Sequence, residues 1–128
     1  MMEDSELVAL ATQARERAYA PYSHYRVGAA LLGASGRVYT GCNVENGVYP
    51  LCLCAERAAV GKAVSEGERR FEAIAVVTED GGTPCGACRQ VLSEFGLDIR
   101  VIVASASGEM RTFTVSELLP EAFTLAQR

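Results

Sequence analysis

The 128-residue chain is 49% hydrophobic and 22% charged, with a net charge of −4; this fits a single domain, residues 1–128, able to bury roughly two-thirds of its unfolded surface without disulfide staples. No apolar run approaches the ~20 residues of a membrane helix, and the opening Met1-Met2-Glu3-Asp4-Ser5 has neither the basic nor the apolar stretch of a secretory signal, so a cytoplasmic location and no membrane partner are expected. The acidic balance argues against a nucleic-acid polymer, whose grip needs a basic surface to displace counterions, and favours a small-molecule substrate.

Leu7, Leu10, Ala11, Ala14 and Ala18 recur at helical spacing, with Ser5 as the candidate cap and Pro21 as the stop. Val27 to Leu32 reads as a strand, Gly33 to Gly36 as a turn, and Arg37 to Val44 as a second strand, close enough to form an antiparallel hairpin. Asn43 to Cys52 is irregular, with Gly47 and Pro50. Cys54 to Glu66 is Ala-rich and helical, and Gly67 ends it. Phe71 to Thr78 is an apolar strand, Glu79 to Thr83 a loop, and Pro84 to Gly96 a helix. Ile99 to Ala104 is another apolar strand, so the pair around this helix is predicted parallel and buried on both faces. A tight turn at Ser105 to Glu109 leads to a last strand, Met110 to Val115, and a short helix at Ser116 to Leu119. The fold class expected is α/β, a three-layer α/β/α sandwich around a mixed five-stranded sheet.

Five cysteines are an odd number for a disulfide framework, and their spacing points to metal or catalysis. Cys54-Ala55-Glu56-Arg57 and Pro84-Cys85-Gly86-Ala87-Cys88 each open a predicted helix. Cys85 and Cys88, three apart, share a face of the first turn. The partial positive charge of a helix N-terminus favours thiolates, the form that binds zinc. Cys54, Cys85 and Cys88 thus offer three zinc ligands and leave the fourth tetrahedral position to water, the pattern of a catalytic site. Glu56, two residues from a ligand, shares the pocket without binding the metal and can move the water's proton. This matches the zinc-deaminase signature of a Glu beside the first ligand and a later Pro-Cys-x-x-Cys, with Cys54 standing where that signature has His. Three thiolates leave the site net negative, and Arg57 is the compensator, through a hydrogen bond to thiolate sulfur.

The rival reading is a structural zinc knuckle with Cys52 as fourth ligand, which leaves Glu56 without a role. Otherwise Cys52 is a buried small hydrophobe and Cys42 a core residue of its strand. His24, the only histidine, reads as a surface or capping residue.

From Pro21 to Phe123 the chain resembles the small homotetrameric cytidine deaminases. The resemblance is carried by Pro21-Tyr22-Ser23-His24-Tyr25-Arg26-Val27-Gly28-Ala29-Ala30, Gly41-Cys42-Asn43-Val44-Glu45-Asn46, Cys54-Ala55-Glu56-Arg57, Pro84-Cys85-Gly86-Ala87-Cys88-Arg89-Gln90 and Glu117-Leu118-Leu119-Pro120-Glu121-Ala122-Phe123. It implies hydrolytic deamination of cytidine and deoxycytidine in pyrimidine salvage, with one Zn2+ per chain. It implies that Asn43 and Glu45 hold the ribose hydroxyls, and that backbone groups near Ala55 and Cys85 orient the base. Tyr25 stands where the family usually has Phe, packed on the pyrimidine. By the same resemblance Phe123 reaches a neighbouring subunit's pocket, and Tyr49 lines the nucleoside's 5′ end across the interface of a homotetramer with shared sites.

Overall fold

The computed structural model describes residues 2–125. Helix α1 spans Asp4–Arg15 and strand β1 Gly28–Gly33, followed by β2 (Val38–Cys42), α2 (Ala55–Ser65), β3 (Phe71–Thr78), α3 (Gly86–Phe95), β4 (Arg100–Ser105), β5 (Met110–Thr114) and α4 (Val115–Leu118). The five strands form one sheet in the order β2-β1-β3-β4-β5. The pair β3–β4 is parallel, and β1–β2, β1–β3 and β4–β5 are antiparallel. This is the mixed sheet expected from the sequence.

The layers follow from the two-residue period of the strands. Leu31 of β1, Ile74 and Val76 of β3, and Val101 and Val103 of β4 face one side, where Ala55, Ala59 and Ala63 of α2 and Leu92 of α3 cover them. The alternate residues Ala30, Leu32, Ala73, Ala75, Val77, Ile102 and Ala104 face the other side and pack under Leu7 and Ala11 of α1. β1 is buried along its whole length, whereas the edge strand β5 is exposed or half-buried. The second face is rich in alanine, so α1 comes close. A Cβ on Gly28 would lie 2.0 Å from the Ala11 carbonyl oxygen, a contact only glycine avoids. Gly41 does the same for α2, where a Cβ would meet the Ala55 oxygen at 2.6 Å. That approach seats the N-terminus of α2 on the end of β2.

Two expectations about α1 change. Its N-cap is Glu3, in a capping box with Glu6, and Ser5 lies inside the first turn. A carboxylate at the cap satisfies the free N–H groups as a hydroxyl would and also favours the helix dipole. The helix stops at Arg15, well before Pro21: beyond it the backbone tightens into i→i−3 bonds, Arg17 N to the Ala14 carbonyl and Ala18 N to the Arg15 carbonyl, while Arg15 Nε donates to the Arg26 carbonyl and Nη2 pairs with Glu79 at 3.0 Å. Ala18 therefore lies outside it. Pro84 precedes α3, whose N-cap is Cys85.

Candidate active site

β2 and β3 run in the same direction, each antiparallel to β1, so their C-terminal ends open on one edge of the sheet, where ligand sites of open α/β sheets form. The N-termini of α2 and α3 reach the same edge. Cys54 is the N-cap of α2 and Cys85 the N-cap of α3, both in extended backbone. Cys88 follows in the first turn of α3 and is only 1% exposed.

The three sulfur atoms lie within 4.8 Å of one another, and Cys54 and Cys85 Sγ are 4.0 Å apart. Zn–S bonds of about 2.3 Å at tetrahedral angles would separate sulfurs by roughly 3.8 Å, so the donor set fits one zinc ion. Three thiolates complete three of its four positions. Arg57 Nη2 donates to Cys54 Sγ at 3.3 Å, as expected of the compensating cation. Its Nε is buried without a hydrogen-bond partner. The Cys54 thiol is brought down to about 5, first by a hydrogen bond from Cys88 and then by Arg57 acting against burial. Cys88, the donor of that pair and itself buried, is pushed up. Cys52 is not part of the cluster. Its Sγ lies outside the three-sulfur group, where it accepts from Asn46 N at 3.3 Å, so the fourth ligand that a structural knuckle would need is not brought to the cluster. Cys52 and Cys42 are half-buried, not core residues.

Glu56 is the second residue of α2 and 5% exposed. Burial, first of all, raises its carboxyl above the usual range. It faces a cleft of about 520 Å³ that Cys54, Ala55, Arg57 and Cys85 also line. A cleft of this volume is in the range that holds a small organic ligand.

The opposite wall is built by the chain around β1 and β2. Val44 bridges Tyr19 on one side and Leu53 on the other, which draws Asn43 and Glu45 alongside Cys54. Asn43 Oδ1 accepts from Val27 N at 2.9 Å and Nδ2 donates to the Tyr25 carbonyl at 2.8 Å. Glu45 accepts from Tyr22 N at 2.9 Å, Ser23 N at 3.1 Å and the Ser23 hydroxyl. These bonds, the hydroxyl foremost, hold its carboxyl below the usual range. An amide offers two N–H groups and two lone pairs, and a carboxylate about four lone-pair sites. Both side chains are therefore fixed by the backbone and still keep hydrogen-bonding capacity toward the cleft.

Tyr25 and Tyr49 also line the cleft. Tyr49 stands on the wall of its own chain's cleft, 70% exposed and edge-on to Tyr22 at 6.4 Å, where the resemblance has it act across an interface. Phe123 is 68% exposed and is absent from this cleft's lining. His24 has a left-handed backbone with φ of 60° and its N–H donates to the Ala20 carbonyl; it is exposed, in keeping with the surface position read from the sequence.

Two residues escaped the sequence reading. Arg89 uses its whole guanidinium: Nε donates to the Pro84 carbonyl at 2.7 Å, Nη2 to Thr83 Oγ1 at 2.7 Å and Nη1 to the Leu118 carbonyl at 2.6 Å. It ties the loop before Cys85 to the end of α4, and its neighbour Gln90 donates to the Phe123 carbonyl. The available signal was an Arg directly after the Cys-x-x-Cys spacing. Asp80 is the other; its Oδ1 accepts from the Tyr25 hydroxyl at 2.7 Å, and nothing in the spacing of Glu79-Asp80-Gly81-Gly82 announces that partner.

Residues 1–105 match the family model described as the cytidine and deoxycytidylate deaminase zinc-binding region. A cytidine deaminase of Halalkalibacterium halodurans is 52% identical over 96% of this chain and 96% of its own length. A cytidine deaminase of Sporosarcina psychrophila is 48% identical over 96% of this chain and 93% of its own. The crystal structure of cytidine deaminase from Burkholderia pseudomallei superposes with a TM-score of 0.92 at 48% identity, covering 95% of this chain and all (100%) of that one. With its three-cysteine zinc site in the same fold, this chain belongs to the cytidine deaminases, a family of zinc-dependent hydrolases.

Proposed function

We propose that this chain hydrolyses cytidine and deoxycytidine to uridine and deoxyuridine with release of ammonia, Glu56 serving as proton shuttle. The observation that carries the reading is one cleft in which a buried carboxylate adjoins the three-sulfur cluster and faces the Asn43–Glu45 pair. Zinc supplies a Lewis acid that makes water a better proton donor. Glu56 takes a proton from the attacking water and delivers it to N3 of the pyrimidine as the oxygen adds to C4. Glu56 then takes the remaining proton from the new C4 hydroxyl and passes it to the amine as the C4–N4 bond breaks, which leaves a C4 carbonyl and ammonia. Asn43 and Glu45 hold the sugar, and a clamp on the 3′ hydroxyl serves ribose and deoxyribose alike. Backbone groups near Ala55 and Cys85 orient the base. In the cell such a reaction belongs to cytoplasmic pyrimidine salvage.

The sugar clamp is tested by comparing cytidine with free cytosine, following ammonia release and the pyrimidine absorbance. Binding energy from the sugar positions the base, so cytosine should be a very poor substrate. Glu45→Ala should harm cytidine turnover much more than cytosine turnover. Equal kcat/KM for the two compounds would exclude the clamp.

The assembly we propose is a homotetramer with shared sites. Val48, Tyr49 and Leu51, consecutive or nearly so in the chain, and separately Phe123 are each more than half exposed, apolar side chains suited to burial against other copies. Burial there would keep water from the cleft and strengthen its electrostatic contacts. Inactive Glu56→Ala chains mixed, after reversible dissociation, with Tyr49→Ala/Phe123→Ala chains should recover activity above the sum of the two parents. No recovery despite proven subunit exchange would exclude shared sites.

A further inference from the structure

β1 and β3 pair with Gly28 opposite Val77, and there the ladder between them ends. Continuing the register three residues further brings Tyr25 opposite Asp80. Backbone pairing has stopped by then, and both chains go on to wall the cleft, through Tyr25 and Val27 on one side and Thr78 and Gly82 on the other. A side-chain bond spans the gap, the Tyr25 hydroxyl donating to Asp80 Oδ1 at 2.7 Å.

Both ends of this strut are fixed. Tyr25 N donates to Ser23 Oγ at 3.0 Å, and the Tyr25 carbonyl accepts from Asn43 Nδ2 at 2.8 Å. The tyrosine backbone is thus held by the same residues that fix Glu45 and the sugar wall. At the far end, Asp80 Oδ1 also accepts from Gly82 N at 3.2 Å and Thr78 Oγ1 at 3.3 Å. Thr78 Oγ1 in turn accepts from Gly81 N at 2.8 Å and Gly82 N at 3.0 Å. Gly81 takes a φ of +79°, the left-handed turn conformation. The chain then runs through Thr83 and Pro84 to Cys85. Glu79, at the start of this loop, is anchored separately by Arg15. Asp80 lies below its usual range, chiefly through the Tyr25 hydroxyl, as the acceptor of such a pair should.

We propose, on the reading of the site given above, that Asp80 is a positioning residue: through the Tyr25 hydroxyl it locks the Tyr25 ring and the Asp80–Gly82 turn into one rigid wall of the nucleoside cleft. A phenylalanine at position 25 would supply the ring without the tie. Substrate affinity therefore depends on the pair and not on the ring alone, because a wall that must be ordered on binding weakens the complex.

The test is a double-mutant cycle on the zinc-loaded enzyme with cytidine, joined to amide hydrogen exchange without substrate. Tyr25→Phe and Asp80→Ala should each raise KM by about 3- to 10-fold, a hydrogen bond to a charged but solvent-accessible group, with kcat within about 2-fold. The double variant should be no worse than either single one. Asp80→Asn, which keeps an acceptor oxygen, should restore most of the affinity. Exchange of the Gly81 and Gly82 amides should quicken in Tyr25→Phe, a change that needs no turnover, and zinc content should stay at one per chain. Multiplying KM effects in the double variant, unchanged exchange at Gly81 and Gly82, or zinc loss on Asp80→Ala would each overturn the proposal. If the parent enzyme leaves cytidine unchanged while Tyr25→Phe still loosens the turn, the strut stands as structure, and it is the deaminase reading that fails.

Discussion

Glu56→Gln should keep stoichiometric zinc and lose about 10²- to 10⁴-fold in kcat, the range for removal of a positioned general acid–base. That loss corresponds to roughly 3–5.5 kcal/mol of barrier at about 1.36 kcal/mol per decade. Glutamine keeps the volume and one carbonyl oxygen of a side chain that is 5% exposed, so packing of the α2 N-terminus is preserved. It cannot accept and return a proton. Glu56 is also not one of the clustered donors, which among the described residues are the sulfurs of Cys54, Cys85 and Cys88, so the metal should not depend on it. The decisive pair of measurements is metal content by atomic emission and single-turnover deamination. Zinc lost at unchanged far-ultraviolet dichroism would make Glu56 a ligand and remove it as shuttle. Glu56→Ala should behave alike in activity, with an added stability loss from the cavity it leaves.

The reading of the sequence succeeded where the signal was local. β3 runs from Phe71 to Thr78 as read, because its apolar run from Ala73 to Val77 fits a strand inside a sheet covered on both faces. The cysteine spacing gave the cluster for a similar reason. Two ligands three residues apart on one helix turn leave little freedom, and a third at another helix start completes the set. What stayed hidden was contact between distant segments. Asn43 spends its amide on Val27 N and the Tyr25 carbonyl, 16 and 18 residues away. The Tyr25 hydroxyl finds Asp80 55 residues on. Neither distance is a period of helix or strand, so no pattern reports it. The α1 cap was misread because the side-chain preference at a cap points to Ser5, whereas the cap stands two residues earlier, at Glu3, whose backbone N–H is met by the Glu6 carboxylate. Arg89 enters the sequence reading only as part of the Pro84 to Gln90 motif, with no role of its own, although its three bonds brace the loop before Cys85.

Cys85→Ala should abolish both zinc retention and detectable turnover, and should do so without unfolding the protein. Among the three cysteines this is the informative one to remove. Cys88 is 1% exposed among the residues of the interior, so its loss mixes a cavity with the loss of a ligand. Cys85 is exposed and takes no part in either apolar cluster. Its side chain makes no capping hydrogen bond at the start of α3, so alanine costs that helix little. Two remaining sulfurs cannot hold the ion as three do, and Cys52, hydrogen-bonded to Asn46, stands outside the cluster and is not placed to replace the third. A metal that binds the native chain more tightly than the unfolded chain stabilises the fold by mass action. The thermal midpoint of Cys85→Ala should therefore fall to about that of the parent enzyme stripped with a chelator, and added zinc should raise the midpoint of the stripped parent but not that of the variant. If the variant held one zinc per chain and turned over cytidine at the parental rate, the three-thiolate site would be wrong. If its midpoint fell far below that of the stripped parent, Cys85 would carry packing that its exposed position does not show.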